Sequence, residues 1–219
     1  MVCDENDKFD IGIVGWWYYY NYGSILTYFS LCKALESKGY SVLMIRKELL
    51  EGHKSGLENQ LPEKAINRYC HISKFYSPNE ISSLNKICNC FISGSDQMWN
   101  PMCEKDAGAQ YFLDFVDKSH KKISYASSIG NSKDAPEAYK KKYSPLVRSF
   151  DAVSIREECC IESFEQIYGV TPYKVCDPVF LCDQKYDKCS LFLIKYIFVF
   201  VCKIFVHFRI WYFFCFFET

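Results

Sequence analysis

The sequence predicts an α/β protein, a mostly parallel sheet with helices on its faces. Short apolar runs alternate along the chain with longer stretches of helical spacing, the pattern of a sheet whose strands are joined by helical crossovers. Residues 10–45 read as strand, loop, helix and strand, the size of one βαβ unit. No internal repeat and no low-complexity linker interrupts the pattern before about residue 187.

The elements follow in order. IGIVG at 11–15 is a short apolar run ending in glycine and aromatics, as a strand entering a loop would. Residues 23–38 carry apolar side chains at Ile25, Leu26, Phe29, Leu31 and Leu35, with Gly39 as the helix stop. SVLMI at 41–45 is the next strand, and 66–72 is open between a strand and a short helix. Residues 78–87 read as a helix with Pro78 near its first turn. CNCFIS (88–93) and KISYAS (122–127) read as strands, 135–149 as a helix and 152–155 as a strand. A helix over 157–168 stops at Gly169, and a last strand covers 173–176.

Composition narrows the function. Hydrophobic residues make up 49% and charged residues 24%, ordinary for a globular chain. The formal net charge is zero, without the clustered surplus of Lys and Arg that a nucleic-acid footprint needs. The one basic cluster, Lys140, Lys141, Lys142 and Arg148, falls in a helical segment and reads as a solvated face. Thirteen cysteines are many, but no C-x-x-C pair occurs among them, so no metal site is expected. The acidic start, MVCDENDKFD, has no apolar core of a signal peptide, and free thiols fit a reducing cytoplasm.

In open parallel sheets, ligands sit beyond the carboxyl ends of the strands. Three loops there hold candidate chemistry. GWWYYYNYG (15–23) opens the first helix, whose free N–H groups could receive an anion. Asn21 is either a cap or a ligand contact, and Gly23 starts the helix. The G-x-G-x-x-G and G-K-[ST] fingerprints are absent. SGSDQMWNP (93–101) follows a strand directly. Gly94 and Ser95 allow a tight turn, and Asp96 stands beside Gln97, Trp99 and Asn100. A carboxylate there could move a proton, orient a sugar hydroxyl or cap the next turn, and Trp99 could stack on a sugar or fill the core. AVSIREE (152–158) puts Arg156 where a strand hands over to a helix, either as a fork for phosphate or carboxylate or in a surface ion pair. Glu157 and Glu158 suit the positive end of that helix.

Together these strings resemble one family. IGIVGWWYYYNYGSILTYFSLCKALESKGY, FISGSDQMWNP, YFLDFV, KKISYASSIG, FDAVSIREE and CDPVFL occur in the order and approximate spacing of the polysaccharide pyruvyl transferases, over residues 8–181. GSDQ-x-WNP and SIREE are the most specific of the six. The resemblance implies two Rossmann-like domains facing across a cleft, similar to the GT-B glycosyltransferases, with 1–188 as the N-terminal one. It also implies transfer of a pyruvyl group from phosphoenolpyruvate to a saccharide or lipid-linked saccharide of a bacterial cell-surface polymer, without a cofactor. Carried over by motif, Asp96 is the acid/base or hydroxyl-orienting group and Arg156 the anion clamp. Asn21, Gly23, Gly94, Ser95, Gln97, Trp99 and Asn100 shape the substrate site. The Arg and His cluster that a second domain brings to the phosphoenolpyruvate site has no counterpart here, so the expected chain is truncated and its own catalysis is in question. The alternatives are a glycosyltransferase using a nucleotide-sugar donor and a non-catalytic remnant.

Residues 189–219 depart from the rest, being nearly all Phe, Ile, Val, Tyr, Cys and Leu. Fourteen Ile, Val or Phe residues between positions 196 and 217 favour membrane insertion by about 4 to 8 kcal/mol. Lys203 and Arg209 oppose it by about 5 to 7 kcal/mol. A frame-shifted end is the favoured expectation, and the alternatives are membrane association through 191–217, at the inner face, and a genuine buried segment.

Overall fold

Seven parallel strands form a single sheet in the computed structural model, which describes residues 7–17, 22–47, 66–103 and 108–181. The chain divides into two units, Met1–Cys182 and Asp183–Thr219, and all the described residues belong to the first. The expectations placed on Asn21, on the 189–219 segment and on membrane association through 191–217 lie outside the described residues. Among the described residues, no helix is long and apolar enough to cross a membrane.

The strands are β1 (Phe9–Val14), β2 (Val42–Lys47), β3 (His71–Tyr76), β4 (Cys88–Ser93), β5 (Lys121–Ser127), β6 (Ala152–Ile155) and β7 (Tyr173–Lys174). Their order is β3-β2-β1-β4-β5-β6-β7. Chain order runs outward in both directions from the β1–β4 pair, which makes that pair the switch point of a Rossmann-like sheet. There Ile13 lies beside Met44 on one side and Ile92 on the other. All six residues of β2 are buried, as a strand covered on both faces must be, and this is why its first four, Val42 to Ile45, read as an apolar run; the buried Arg46 and Lys47 end it.

Among the described residues, three α-helices lie complete: α1 (Tyr22–Glu36), α2 (Glu137–Val147) and α3 (Ile161–Tyr168). Glycines end two of them as expected. Gly39 takes φ +91° just past α1, and Gly169 takes φ +69° and donates its N–H to Glu165 O. Such positive φ values suit a residue without Cβ. Most of α1 is buried, and the turn Pro178–Leu181 packs against it. The basic cluster lies along α2, where Lys140 pairs with Asp134 and Glu137.

Three expectations change. Residues 78–87 hold a 3-10 helix, Ile81–Lys86, instead of an α-helix. Its buried residues Ile81 and Leu84 are three apart, a spacing that matches three residues per turn. Residues 66–72 are divided between a helical end at 66–69 and the start of β3. The segment after Arg156 is extended at Glu157, turns as a 3-10 helix at Glu158–Cys160, and becomes α-helical only at Ile161. Glu157 is therefore no part of a helix's first turn, and it pairs with Arg156 instead.

A hydroxyl network joins β5 and β6. Ala126 has φ +55° where the β5–β6 register shifts, as at a bulge. Ser154 Oγ accepts from Ala126 N at 3.1 Å and donates to Ser124 O at 2.8 Å. Ser127 Oγ reaches Gly94 O at 3.3 Å, tying the bulge to the loop after β4.

Candidate functional site

The loop after β4 divides at Asp96. Before it, Gly94 donates its N–H to Val14 O and Ser95 is fully buried. After it, a 3-10 turn, Gln97–Trp99, carries Trp99 into the core. Trp99 has no exposed surface, stacks on Phe112 at 5.2 Å and lies near Phe164 at 5.9 Å. Its Nε1–H donates to Tyr111 O, and its carbonyl accepts from the Tyr139 and Tyr168 hydroxyls. Of its two readings, the structure takes the core one, since a sugar has no access to this ring.

Asp96 itself is half-buried, at φ 157° and ψ 177°. A non-glycine residue in that region costs about 1–3 kcal/mol and persists only where its surroundings hold it. Here Ser128 N–H donates to its carbonyl, Gln97 N–H to Oδ1 at 2.7 Å, and Ser24 Oγ–H to Oδ2 at 2.6 Å. Ser24 belongs to the first turn of α1. The Asp96 carboxylate thus reaches the start of α1 through the Ser24 hydroxyl, near the helix end that favours negative charge.

Arg156, just beyond β6, is held on three sides. Its Nε–H donates to Glu157 Oε1 at 2.5 Å, and Nη1 donates to Asp177 Oδ2 and Ser95 Oγ, each at 3.1 Å. Nη2 makes no hydrogen bond among the described residues. Burial alone would lower its pKa, but the hydrogen bond and charge of Glu157 and the charge of Asp177 outweigh it. The net shift is upward, so Arg156 is a permanent cation.

These groups meet in a cleft of about 500 Å³ lined by Gly23, Ser24, Leu26 and Thr27 of α1, by Ser95 and Asp96, by Arg156, and by Asp177, Val179 and Phe180. Three loops far apart in sequence converge there, as expected beyond the carboxyl ends of parallel strands. Of the sequence-derived candidates, Gly23, Ser95, Asp96 and Arg156 line the cleft. Gln97 and Asn100 stand outside that lining: Asn100 Nδ2 donates to Gln97 Oε1, and Asn100 Oδ1 accepts from Ser132 Oγ and Met102 N. They brace the loop. Gly94 lies below the cleft, and a Cβ on it or on Gly15 would overlap the Tyr28 ring. These two glycines thus make room for a buried tyrosine.

Ser24, Asp177 and Phe180 are lining residues that sequence reasoning misses. The signal for Asp177 and Phe180 is present in CDPVFL, which reads in sequence only as part of the family pattern. Ser24 carries no signal, since its role depends on a partner 72 positions away. The chain holds no group of three or more metal-ligating side chains among the described residues.

No curated protein and no solved structure matches the chain. A family model described as polysaccharide pyruvyl transferase matches residues 21–213 of the 219. That span includes the cleft-lining loops after β4, β6 and β7 together with α1, the same segments whose strings carry the resemblance. The chain belongs to the polysaccharide pyruvyl transferase family.

Proposed function

We propose that this domain serves pyruvyl transfer from phosphoenolpyruvate to two hydroxyls of one saccharide, as the N-terminal domain of a two-domain GT-B-like plan. The product is a cyclic ketal, and inorganic phosphate leaves. The enol methylene takes one proton and becomes a methyl group, leaving an oxocarbenium-like carbon. One sugar hydroxyl attacks that carbon, and the proton it gives up replaces the one the methylene took. The second then displaces phosphate, and its proton ends on the leaving group.

The observation that supports this reading is the meeting of Asp96 and Arg156 in one cleft. Asp96, with Oδ2 steadied by Ser24 and Oδ1 by Gln97 N, is placed to accept a hydroxyl proton. Arg156 offers the donor's phosphate or carboxylate its Nη2 edge, which bonds nothing among the described residues, while Glu157, Asp177 and Ser95 keep the guanidinium in place. A nucleotide-sugar donor at this domain's own switch point is disfavoured, because Tyr28 fills the space against Gly15 and Gly94 where a nucleotide phosphate would approach.

The test is to incubate the full chain with phosphoenolpyruvate and a panel of methyl glycosides. Phosphate release and the appearance of a ketal methyl signal by NMR are followed together. Release that requires both substrates, and that is lost in Asp96→Asn, supports the reading. Phosphate release that is absent with every glycoside, or is unchanged in Asp96→Asn, overturns it.

A further inference from the structure

Among the described residues, the cleft contains one aromatic side chain that the core does not use. Phe180 is 80% exposed and its neighbour Val179 is 40% exposed, and both line the cleft. An exposed phenylalanine gains nothing for folding where it stands. It is nevertheless held by an ordered turn: Val179 N–H donates to Asp177 Oδ1 at 3.0 Å, and Phe180 N–H to Asp177 O at 3.0 Å. The other carboxylate oxygen of Asp177, Oδ2, holds Arg156. One aspartate therefore fixes the aromatic ring and the guanidinium to the same frame.

The charge of the cleft limits what can settle beside that ring. Its lining has two carboxylates, Asp96 and Asp177, against one cation, Arg156. Glu157 adds a third carboxylate on the same guanidinium. The N-terminal end of α1 is turned to Asp96 through Ser24. Apart from the Nη2 edge of Arg156, both positive features already face internal partners, so the rest of the cleft disfavours an anion and favours a neutral ligand with donor hydroxyls.

A pyranose has those two properties on two sides. Its hydroxyls donate to carboxylates, and its C–H face is apolar with slightly positive hydrogens that suit the negative face of an aromatic ring. Leu26 and Val179 extend the apolar wall beside Phe180. We infer that Phe180 is the platform for the acceptor sugar, which lies with its C–H face on the ring and its hydroxyls toward Asp96. The donor then approaches from the Nη2 side of Arg156. This inference rests on the proposed reaction for the acceptor's role, but the binding of a neutral glycoside stands apart from turnover.

The experiment uses the full chain with Phe180→Ala and Phe180→Trp. Binding of methyl glucoside, galactoside, mannoside and N-acetylglucosaminide is followed by saturation-transfer NMR, and steady-state phosphate release is measured on whichever glycoside serves as acceptor. An exposed ring can be truncated without disturbing the fold, and the melting temperature verifies this. The expected result is an acceptor KM raised about 10-fold in Phe180→Ala, a stacking-sized effect, with the phosphoenolpyruvate KM unchanged and Phe180→Trp close to wild type. An unchanged acceptor KM in Phe180→Ala, with transfer intact in the wild type, overturns the platform and leaves the reaction standing. Phe180-dependent glycoside binding without any phosphate release supports the platform and removes the reaction. Absence of glycoside binding by the wild-type chain overturns the platform.

Discussion

The nine residues from Ser93 to Pro101 serve two regions that hold together by different physics. On one side, Trp99 joins Phe112, Tyr139, Tyr143, Phe164 and Tyr168 in an aromatic cluster between the sheet and helices α2 and α3. The Tyr139 and Tyr168 hydroxyls in that cluster both donate to Trp99 O and meet each other at 2.9 Å. On the other side, three positions earlier, Asp96 faces a cleft of carboxylates, hydroxyls and one guanidinium. Packing anchors the loop, and the anchored loop keeps a carboxylate in a backbone conformation it would not choose alone. On the proposed reaction, stability belongs to one end of the segment and chemistry to the other, so substitutions should separate the two.

The largest expected effect is on the chemical side. Asp96→Asn keeps size and one accepting oxygen, its new amide N–H facing the Ser24 hydroxyl, which can accept. It cannot take a proton, and on the proposed reaction it should lower kcat by about 10²–10⁴-fold. Its melting curve should stay close to wild type, and a collapse in stability would erase the division. Trp99→Ala is the converse. It should cost about 3–5 kcal/mol in urea unfolding by emptying a fully buried site, and any activity loss should follow the unfolded fraction. Gly94→Ala sits between the regions. Overlap with the Tyr28 ring should cost about 1–3 kcal/mol as overpacking, read from the same denaturation curves.

The packed side also carries a pH dependence. Lys47 at the end of β2 is buried over the Tyr111 ring, with Nζ 3.2 Å from Gln110 Oε1. Burial pushes its pKa down from 10.5 to about 8, against the opposing pull of Asp114. The unfolded chain then binds more protons than the folded one between those values. Lys47 should thus contribute a stability that rises from pH about 8 to about 10.5. Tyr168, whose pKa is raised by burial, works in the opposite direction above pH about 10. The difference in unfolding free energy between wild type and Lys47→Met across this range isolates the lysine. A flat difference would remove it from the packed region.

Much of the sheet was legible because β1, β2, β4, β5 and β6 are short runs set between turn signals, and their alternation with helices implies parallel strands; the strand order, with its switch between β1 and β4, was not read from the sequence. The helix expected at 78–87 failed because Pro78 near a first turn and apolar residues at 81, 84 and 87 suit a 3-10 helix as well as an α-helix. At the cleft, Asp96 and Arg156 were legible from their places after strands. The pairings of Arg156 were not. Glu157 reads as a helix start in sequence, and the bond to Asp177 joins positions 21 apart. Trp99 could not be assigned from its type, because an indole suits a core and a sugar face equally, and only its surroundings decide.

Tyr28 between Gly15 and Gly94 also makes a statement about descent. The ring occupies the volume that a side chain at either glycine would need, so the three positions are linked although 13 and 66 residues of chain separate them. A homologue with alanine at the position of Gly15 or Gly94 should carry a smaller residue in place of Tyr28, and neither change should be found alone. The trio is a covariation signature for this switch point, readable from an alignment without any further structure.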